Sequence, residues 1–316
     1  MSKYAFGVDV GGTTVKLGLF NDEGQVLDKW EIPTVKDNGG EKVLPDIAAS
    51  IKNKMQEKNI TAADLVGVGI GAPGAVNADG FMVNGAVNIG WGSFDLAETL
   101  KKELDLDVTV KAGNDANVAA LGEMWQGGGK GYSNLVAVTL GTGVGGGVVH
   151  DQKIVAGRHG LGGEIGHIHI REGEKETCNC GGHGCLEQVA SATGIAREAR
   201  RKMAAKPDAS VMRAYGDAIT AKNVLDAAKA GDALALEVMD TVCYYLGWAL
   251  ATISMTVDPE IFVIGGGVSK AGTFLTDWID RYYRELTPIS ENKGEVRLAT
   301  LGNDAGIYGA ARLILD

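Results

Sequence analysis

The sequence predicts an α/β protein folded as one large domain or as two that pack closely, and three observations lead to that class. Short β-branched runs end in glycine-rich turns all along the chain: 47 of the 316 residues are glycine, about 15% against an average near 7%, with 6 prolines and no Gly-x-y period. A strand, glycine turn, strand arrangement occurs twice. Between the two copies, apolar residues at helical spacing lead into another apolar strand, the order of a crossover unit.

Taken in order, the run YAFGVDV enters Gly11-Gly12-Thr13-Thr14 and leaves as VKLGLF, two strands joined by a tight turn. Val43, Leu44, Ile47, Ile51 and Met55 then mark a helix over 41–58, followed by the strand LVGVGI and the turn Gly71-Ala72-Pro73-Gly74. A helix is expected from Ala116 to Met124. The strand LVAVTL meets Gly141-Thr142-Gly143-Val144-Gly145-Gly146-Gly147 and continues as VV. A stretch rich in glycine and cysteine follows, then a helical region over 194–230, a long apolar helix over 233–254, the strand IFVI, Gly265-Gly266-Gly267 and a terminal helix over 305–315. No stretch has linker composition, and the expected boundaries are 1–112 plus 303–316 for a small N-terminal lobe and 113–302 for a large C-terminal lobe.

Composition excludes several classes. At 45% hydrophobic the chain can bury a sizeable core, which rules out disorder. Thirty basic against forty acidic side chains give a net charge of −10 and a pI near 5.1, which argues against a nucleic-acid or anionic-membrane surface while leaving room for a local phosphate site. The N-terminus enters a strand-like run without a signal-peptide core, and no window holds 18 uncharged apolar residues, so a cytoplasmic protein without a membrane segment is expected. Four cysteines in a reducing compartment are not expected as disulfides, and three of them lie within Cys178–Cys185, which points to metal.

Phosphates need close backbone approach and convergent N–H donors, and a glycine turn at a strand end supplies both. Asp9-Val10-Gly11-Gly12-Thr13-Thr14-Val15-Lys16 adds two hydroxyls, an ammonium and a carboxylate able to hold hydrated magnesium. Neither a Walker A loop nor a helix-opening Gly-x-Gly-x-x-Gly is present. A glycine hairpin that serves folding alone is the plain alternative for any one turn, but three such turns at strand ends favour phosphate. Cys178, Cys180 and Cys185 can give three thiolates to a tetrahedral zinc closed by a histidine, and spacing does not choose among His167, His169 and His183. Asp115 opens the helix that follows Gly113, with Asn114 beside it; either residue could be a helix cap, and Asp115 could equally accept the proton of an alcohol in phosphoryl transfer.

The order DVGGTT, NDANVAALGE, TLGTGVGGG, VIGGGVS resembles the phosphate, connecting and adenosine motifs of the sugar kinase, actin and heat-shock ATPase fold. More closely, Glu164-Ile165-Gly166-His167 followed by Cys178-Asn179-Cys180-Gly181-Gly182-His183-Gly184-Cys185-Leu186-Glu187 is similar to the signature of the bacterial ROK family of repressors and sugar kinases. The resemblance implies a two-lobed, actin-like (ribonuclease H-like) fold with mixed sheets and an active site in the interdomain cleft. It selects His167 as the fourth metal ligand, making the zinc structural, and it makes Asp115 the general base. It implies sugar contacts from Asn114, Glu164, His167 and Glu187, with Gly74 and Ala75 approaching by backbone. ATP with magnesium would lie on Asp9, Gly11, Gly12, Thr13, Thr14, Lys16, Gly141, Thr142, Gly143, Gly265 and Gly266.

The segments GVGIGAPGAV, NIGW and NDANVAALGEMW are similar to glucokinases of the family, so the implied reaction is ATP-dependent phosphorylation of glucose at its 6-hydroxyl, with a homodimer as the implied assembly. The alternatives are a kinase for N-acetylglucosamine, mannose or fructose, or a non-enzymatic sugar sensor. A repressor would carry an N-terminal DNA-binding domain, and here three residues precede the first strand.

Overall fold

The computed structural model describes residues 3–315; Met1, Ser2 and Asp316, which the expected lobe boundaries include, lie outside the described residues. In chain order the elements begin with β1 (Tyr4–Val10), β2 (Thr14–Asn21), β3 (Val26–Pro33), the short turn α1 (Asp37–Gly40), α2 (Val43–Lys58), β4 (Leu65–Ala72), β5 (Phe81–Met82), β6 (Phe94–Asp95), α3 (Leu96–Leu104), β7 (Thr109–Asn114) and α4 (Asp115–Gln126). They continue with β8 (Leu135–Leu140), β9 (Val144–His150), β10 (Lys153–Ile154), α5 (Glu187–Ala190), α6 (Ala192–Ala205), α7 (Ala221–Lys229) and α8 (Ala233–Val257). Last come β11 (Ile261–Gly265), α9 (Thr273–Leu286), β12 (Glu295–Leu298) and α10 (Ala305–Ile314).

Two five-stranded sheets run β3-β2-β1-β4-β7 and β10-β9-β8-β11-β12, each a mixture of antiparallel hairpins and parallel pairs. The chain forms two compact units: Met1–Ser133 with Gly147–Gly163 and Leu301–Asp316, and Asn134–Gly146 with Glu164–Thr300. This division puts 113–133, 147–163 and 301–302 in the first unit, where the expected boundary places them in the second. The physical reason is α4, which lies against α10, a contact between residues almost two hundred positions apart.

In the first unit the sheet is covered on both faces. Phe6, Val8 and Val10 of β1 and Val15, Leu17 and Leu19 of β2 share a core with Ile47 and Ile51 of α2 and Leu96 and Leu100 of α3. The alternate residues, Ala5 and Phe20, meet Ile307, Ala311 and Ile314 of α10 on the other face. Burial of each such Val, Leu, Ile or Phe side chain stabilises the fold by about 1.5–3 kcal/mol. α10 sits close enough to demand glycine beneath it: a β-carbon on Gly69 would stand 1.7 Å from the Ala310 carbonyl oxygen, and one on Gly309 would stand 1.6 Å from that of Val118.

In the second unit the expected helical region over 194–230 is broken into α6, a 3-10 segment (Val211–Ala218) and α7, because Pro207 follows α6 and Gly216 takes φ of 50°. Fresh caps restart the helices: the Ser191 and Thr220 hydroxyls accept from the Gly194 and Asn223 amides. α8 is long and apolar enough by length and composition to cross a membrane, yet Leu234, Val238, Val242, Leu246 and Leu250 are buried where it packs on α6, α7 and α9. Its other side differs from a core helix, with Tyr244, Trp248 and Met255 between 37% and 62% exposed.

Candidate active site

Parallel pairing fixes the first unit's part of the site. Asp9 of β1 is in register with Gly71 of β4, and Ala72 of β4 with Asn114 of β7, so three strand ends deliver Asp9, the 72–75 loop and Asn114-Asp115 to one edge of the sheet. That edge is where open α/β sheets bind ligands. The hairpin between β1 and β2 closes through Gly11 N–H donating to the Thr14 carbonyl at 3.0 Å, and no backbone carbonyl among the described residues accepts from the Gly12 or Thr13 amide.

Asn114 has two structural tasks. Its Oδ1 accepts from the amides of Ala116 and Asn117 at 3.0 and 3.1 Å, which caps α4, while its Nδ2 donates to the Gly74 carbonyl at 3.0 Å, which holds the 72–75 loop. The same side chain also supports the ionised form of Asp115. Asp115 Oδ1 accepts from the Ala116 amide at 2.8 Å. Burial raises the Asp115 carboxyl above its usual range, with the Ala116 and Asp115 amides and the Asn114 side chain pulling the other way. Burial also pushes Asp9 up to about 6, helped by the like charge of Asp115 and opposed by Lys16. Two carboxylates in this state are suited to a cation on one and a proton on the other. Lys16 lies opposite Asp9 in the register, and its ammonium donates to the Asn303 carbonyl at 2.8 Å.

The second unit repeats the device. β8 and β11 pair in parallel with Thr139 beside Gly265, so the turns Gly141–Gly143 and Gly265–Gly267 leave the same sheet edge. The first is braced by α6: Ala192 N–H donates to the Gly141 carbonyl at 2.8 Å and the Thr193 hydroxyl to the Thr142 carbonyl at 2.9 Å. Beside it opens a cavity of about 510 Å³ lined by Gly141, Thr142, Ala192, Gly267, Val268, Lys270 and Ala271, and by Thr220, Ala221, Lys222, Leu225, Asp226 and Lys229 of α7 and its cap. Gly265 and Gly266 are not in its lining. Gly266, with φ of 85° and its α-carbon against the Leu140 backbone, turns the chain so that Gly267 and Val268 reach it. The α7 residues had no signal in the sequence, because Lys222, Asp226 and Lys229 at helical spacing read as a solvated face.

His167, Cys178, Cys180 and Cys185 converge, their ligand atoms all within 4.8 Å of one another. Cys180 and Cys185 sulfurs are 3.7 Å apart, and His167 Nδ1 is 3.7 Å from Cys178 Sγ. A tetrahedral zinc with Zn–S of about 2.3 Å would set its sulfurs about 3.8 Å apart, so the donor set fits that ion. Burial and the neighbouring sulfurs push Cys185 up to about 12. The other two candidate histidines lie outside the cluster: His183 Nδ1 donates to the Glu176 carbonyl and His169 Nδ1 to that of His183.

The remaining ring nitrogen of His167 faces Glu164, with Nε2 3.9 Å from the carboxylate. Glu187 accepts from the Val144 amide at 3.0 Å, reaches within 4.0 Å of Cys178 Sγ, and lies against Gly143. Glu164, His167 and Glu187 are thus gathered around the cysteine loop, and Glu187 ties that loop to the Gly141–Gly143 turn.

The chain is similar to known proteins over nearly all of its length. The ROK family model matches residues 5–316. A glucokinase of Halalkalibacterium halodurans is 45% identical over 315 residues, covering 99% of this chain and 95% of that one. A ROK family glucokinase from Streptomyces griseus, solved in complex with glucose and AMPPNP, superposes with a TM-score of 0.74 at 33% identity and 98% coverage of both chains. A ROK hexokinase from Thermus thermophilus gives a TM-score of 0.81 at 29% identity, covering 98% of this chain and 97% of that one.

Proposed function

Because the chain belongs to the ROK family, we infer that it is an ATP-dependent sugar kinase that phosphorylates glucose at its 6-hydroxyl. The observation that carries this reading is the 45% identity to a glucokinase across 99% of the chain, together with a raised, buried carboxylate at the edge where three parallel strands end.

In the proposed reaction Asp115 takes the proton of the 6-hydroxyl as that oxygen attacks the γ-phosphorus, and the bond from phosphorus to the bridging oxygen breaks to leave ADP. Asn114 offers its side-chain amide to the sugar, and Gly74 and Ala75 approach by backbone. Glu164, His167 and Glu187 bind further sugar hydroxyls; a carboxylate or imidazole suits a ring of hydroxyls that would be costly to leave unpaired. Gly11 to Thr14 and Gly141 to Gly143 supply amides and hydroxyls to the phosphates, and the cavity beside Gly267 takes the adenosine. Asp9 would hold magnesium, which neutralises phosphate charge when bound with the nucleotide. His167, Cys178, Cys180 and Cys185 would hold a zinc with no open position, whose effect is to fix the loop that carries Glu164 and Glu187. A cytoplasmic location, consistent with the free cysteines, and a homodimer that covers the exposed Tyr244, Trp248 and Met255 of α8 belong to the same proposal.

A coupled assay of ATP-dependent phosphorylation across glucose, N-acetylglucosamine, mannose and fructose tests the reading. Glucose is expected to give the highest kcat/KM; a higher value for another hexose would move the assignment to that sugar.

A further inference from the structure

We propose that Lys36, assisted by Asn88, is a phosphate-binding residue that holds the terminal phosphoryl group of the nucleotide over the Gly11–Thr14 turn, an inference that rests on the kinase reading above. A β-carbon placed on Gly12 would stand 3.7 Å from Lys36 Nζ and 3.8 Å from Asn88 Nδ2, so an ammonium and an amide donor meet over the glycine of the turn whose own N–H is uncommitted.

Their placement is built into the fold. The segment before Lys36 is fastened to the turn at two points, by Thr34 N–H donating to the Thr13 carbonyl at 2.9 Å and by the Thr34 hydroxyl donating to the Gly11 carbonyl at 2.8 Å. The segment that carries Asn88 is fastened to the one after Lys36 by Trp91 Nε1, which donates to the Gly40 carbonyl at 3.1 Å. No ion pair among the described residues engages Lys36.

Charge balance asks for such a group. Asp9 and Asp115 are both negative at this sheet edge when ionised, the nucleotide adds its phosphates, and Lys16, the ammonium within the turn motif, is committed to the Asn303 carbonyl. As the phosphorus passes from the bridging oxygen to the sugar oxygen, the negative charge on its three equatorial oxygens needs fixed donors, and Lys36 with Asn88 supplies two.

The test compares Lys36→Ala, Lys36→Arg and Asn88→Ala with the unaltered chain, by steady-state kinetics and by calorimetric binding of ATP and ADP. Lys36→Ala is expected to lower kcat/KM for ATP by about 100-fold, with the KM for glucose unchanged and ATP binding weakened much more than ADP binding. Lys36→Arg should recover activity to within about tenfold, since it keeps the charge, and Asn88→Ala should give a smaller loss of the same kind. Wild-type kcat/KM in Lys36→Ala, or equal weakening of ATP and ADP, would overturn the proposal. Absence of sugar phosphorylation by the unaltered chain would instead overturn the kinase reading, and the ATP-against-ADP comparison reads on Lys36 without turnover.

Discussion

Asp115 stands at the end of β7 and the first turn of α4, where burial lifts its carboxyl and the Ala116 amide and Asn114 side chain favour the ionised form. A base lifted toward neutrality takes a hydroxyl proton better than an ordinary carboxylate does. Asp115→Asn should therefore lower kcat by about 10³-fold while calorimetry still detects glucose binding; near-normal turnover would remove Asp115 from the mechanism. Because the raised group must be ionised to act, kcat/KM should rise with pH along an acid limb that lies above the usual carboxylate range. Asn114→Ala, which removes a partner of the ionised form, should move that limb to higher pH in a pH–rate profile. The sign for folding is opposite: a raised carboxyl contributes stability below its unfolded pKa and loses it as pH rises through the folded value. The position of Asp115 was legible through the motif around it. The double task of Asn114 was not, since its second partner, Gly74, lies forty residues away.

At the scale of elements, α10 joins sheet and helix only because glycine stands at each crossing. Gly309→Ala would force a β-carbon into the Val118 carbonyl and should destabilise the protein by about 3 kcal/mol or more, read as a lower denaturant midpoint with an unchanged slope. The cysteine loop is held from two sides. One is its ligand cluster, and the other is a set of ion pairs in which Arg201 reaches Glu174, Glu176 and Glu198 at 2.7–3.1 Å and holds Glu174 down at about 2. Cys185→Ser should lose bound zinc, measured by elemental analysis, and should raise the KM for glucose more than that for ATP, because Glu164, His167 and Glu187 hang on that loop. Full metal content, or an equal effect on both substrates, would contradict this. The clustering of three cysteines made the loop visible in the sequence; spacing left three histidines open, the family signature selected His167, and the fold brings that histidine to the cysteines while engaging His169 and His183 elsewhere.

At the scale of the whole molecule, the α/β class and the repeated strand-turn-strand device were legible because both are local patterns, strands of period two ending in glycine. The division into units was not, because it is set by α4 lying on α10, and no local pattern records a contact between residues 115–126 and 305–314. The cavity beside Gly267 was missed for a similar reason: its wall on α7 is made of residues whose spacing describes an ordinary solvated helix. Net charge of −10 agrees with a small-molecule enzyme whose phosphate contacts are local turns. Transfer of the γ-phosphoryl group of ATP to the 6-hydroxyl of glucose is read most directly by ³¹P and ¹H NMR of the product formed with glucose, ATP and magnesium. Glucose 6-phosphate and ADP are expected in equal amounts from the unaltered chain, and to form about 10³-fold more slowly with Asp115→Asn; ADP without sugar phosphate, or phosphate at another hydroxyl, would contradict this.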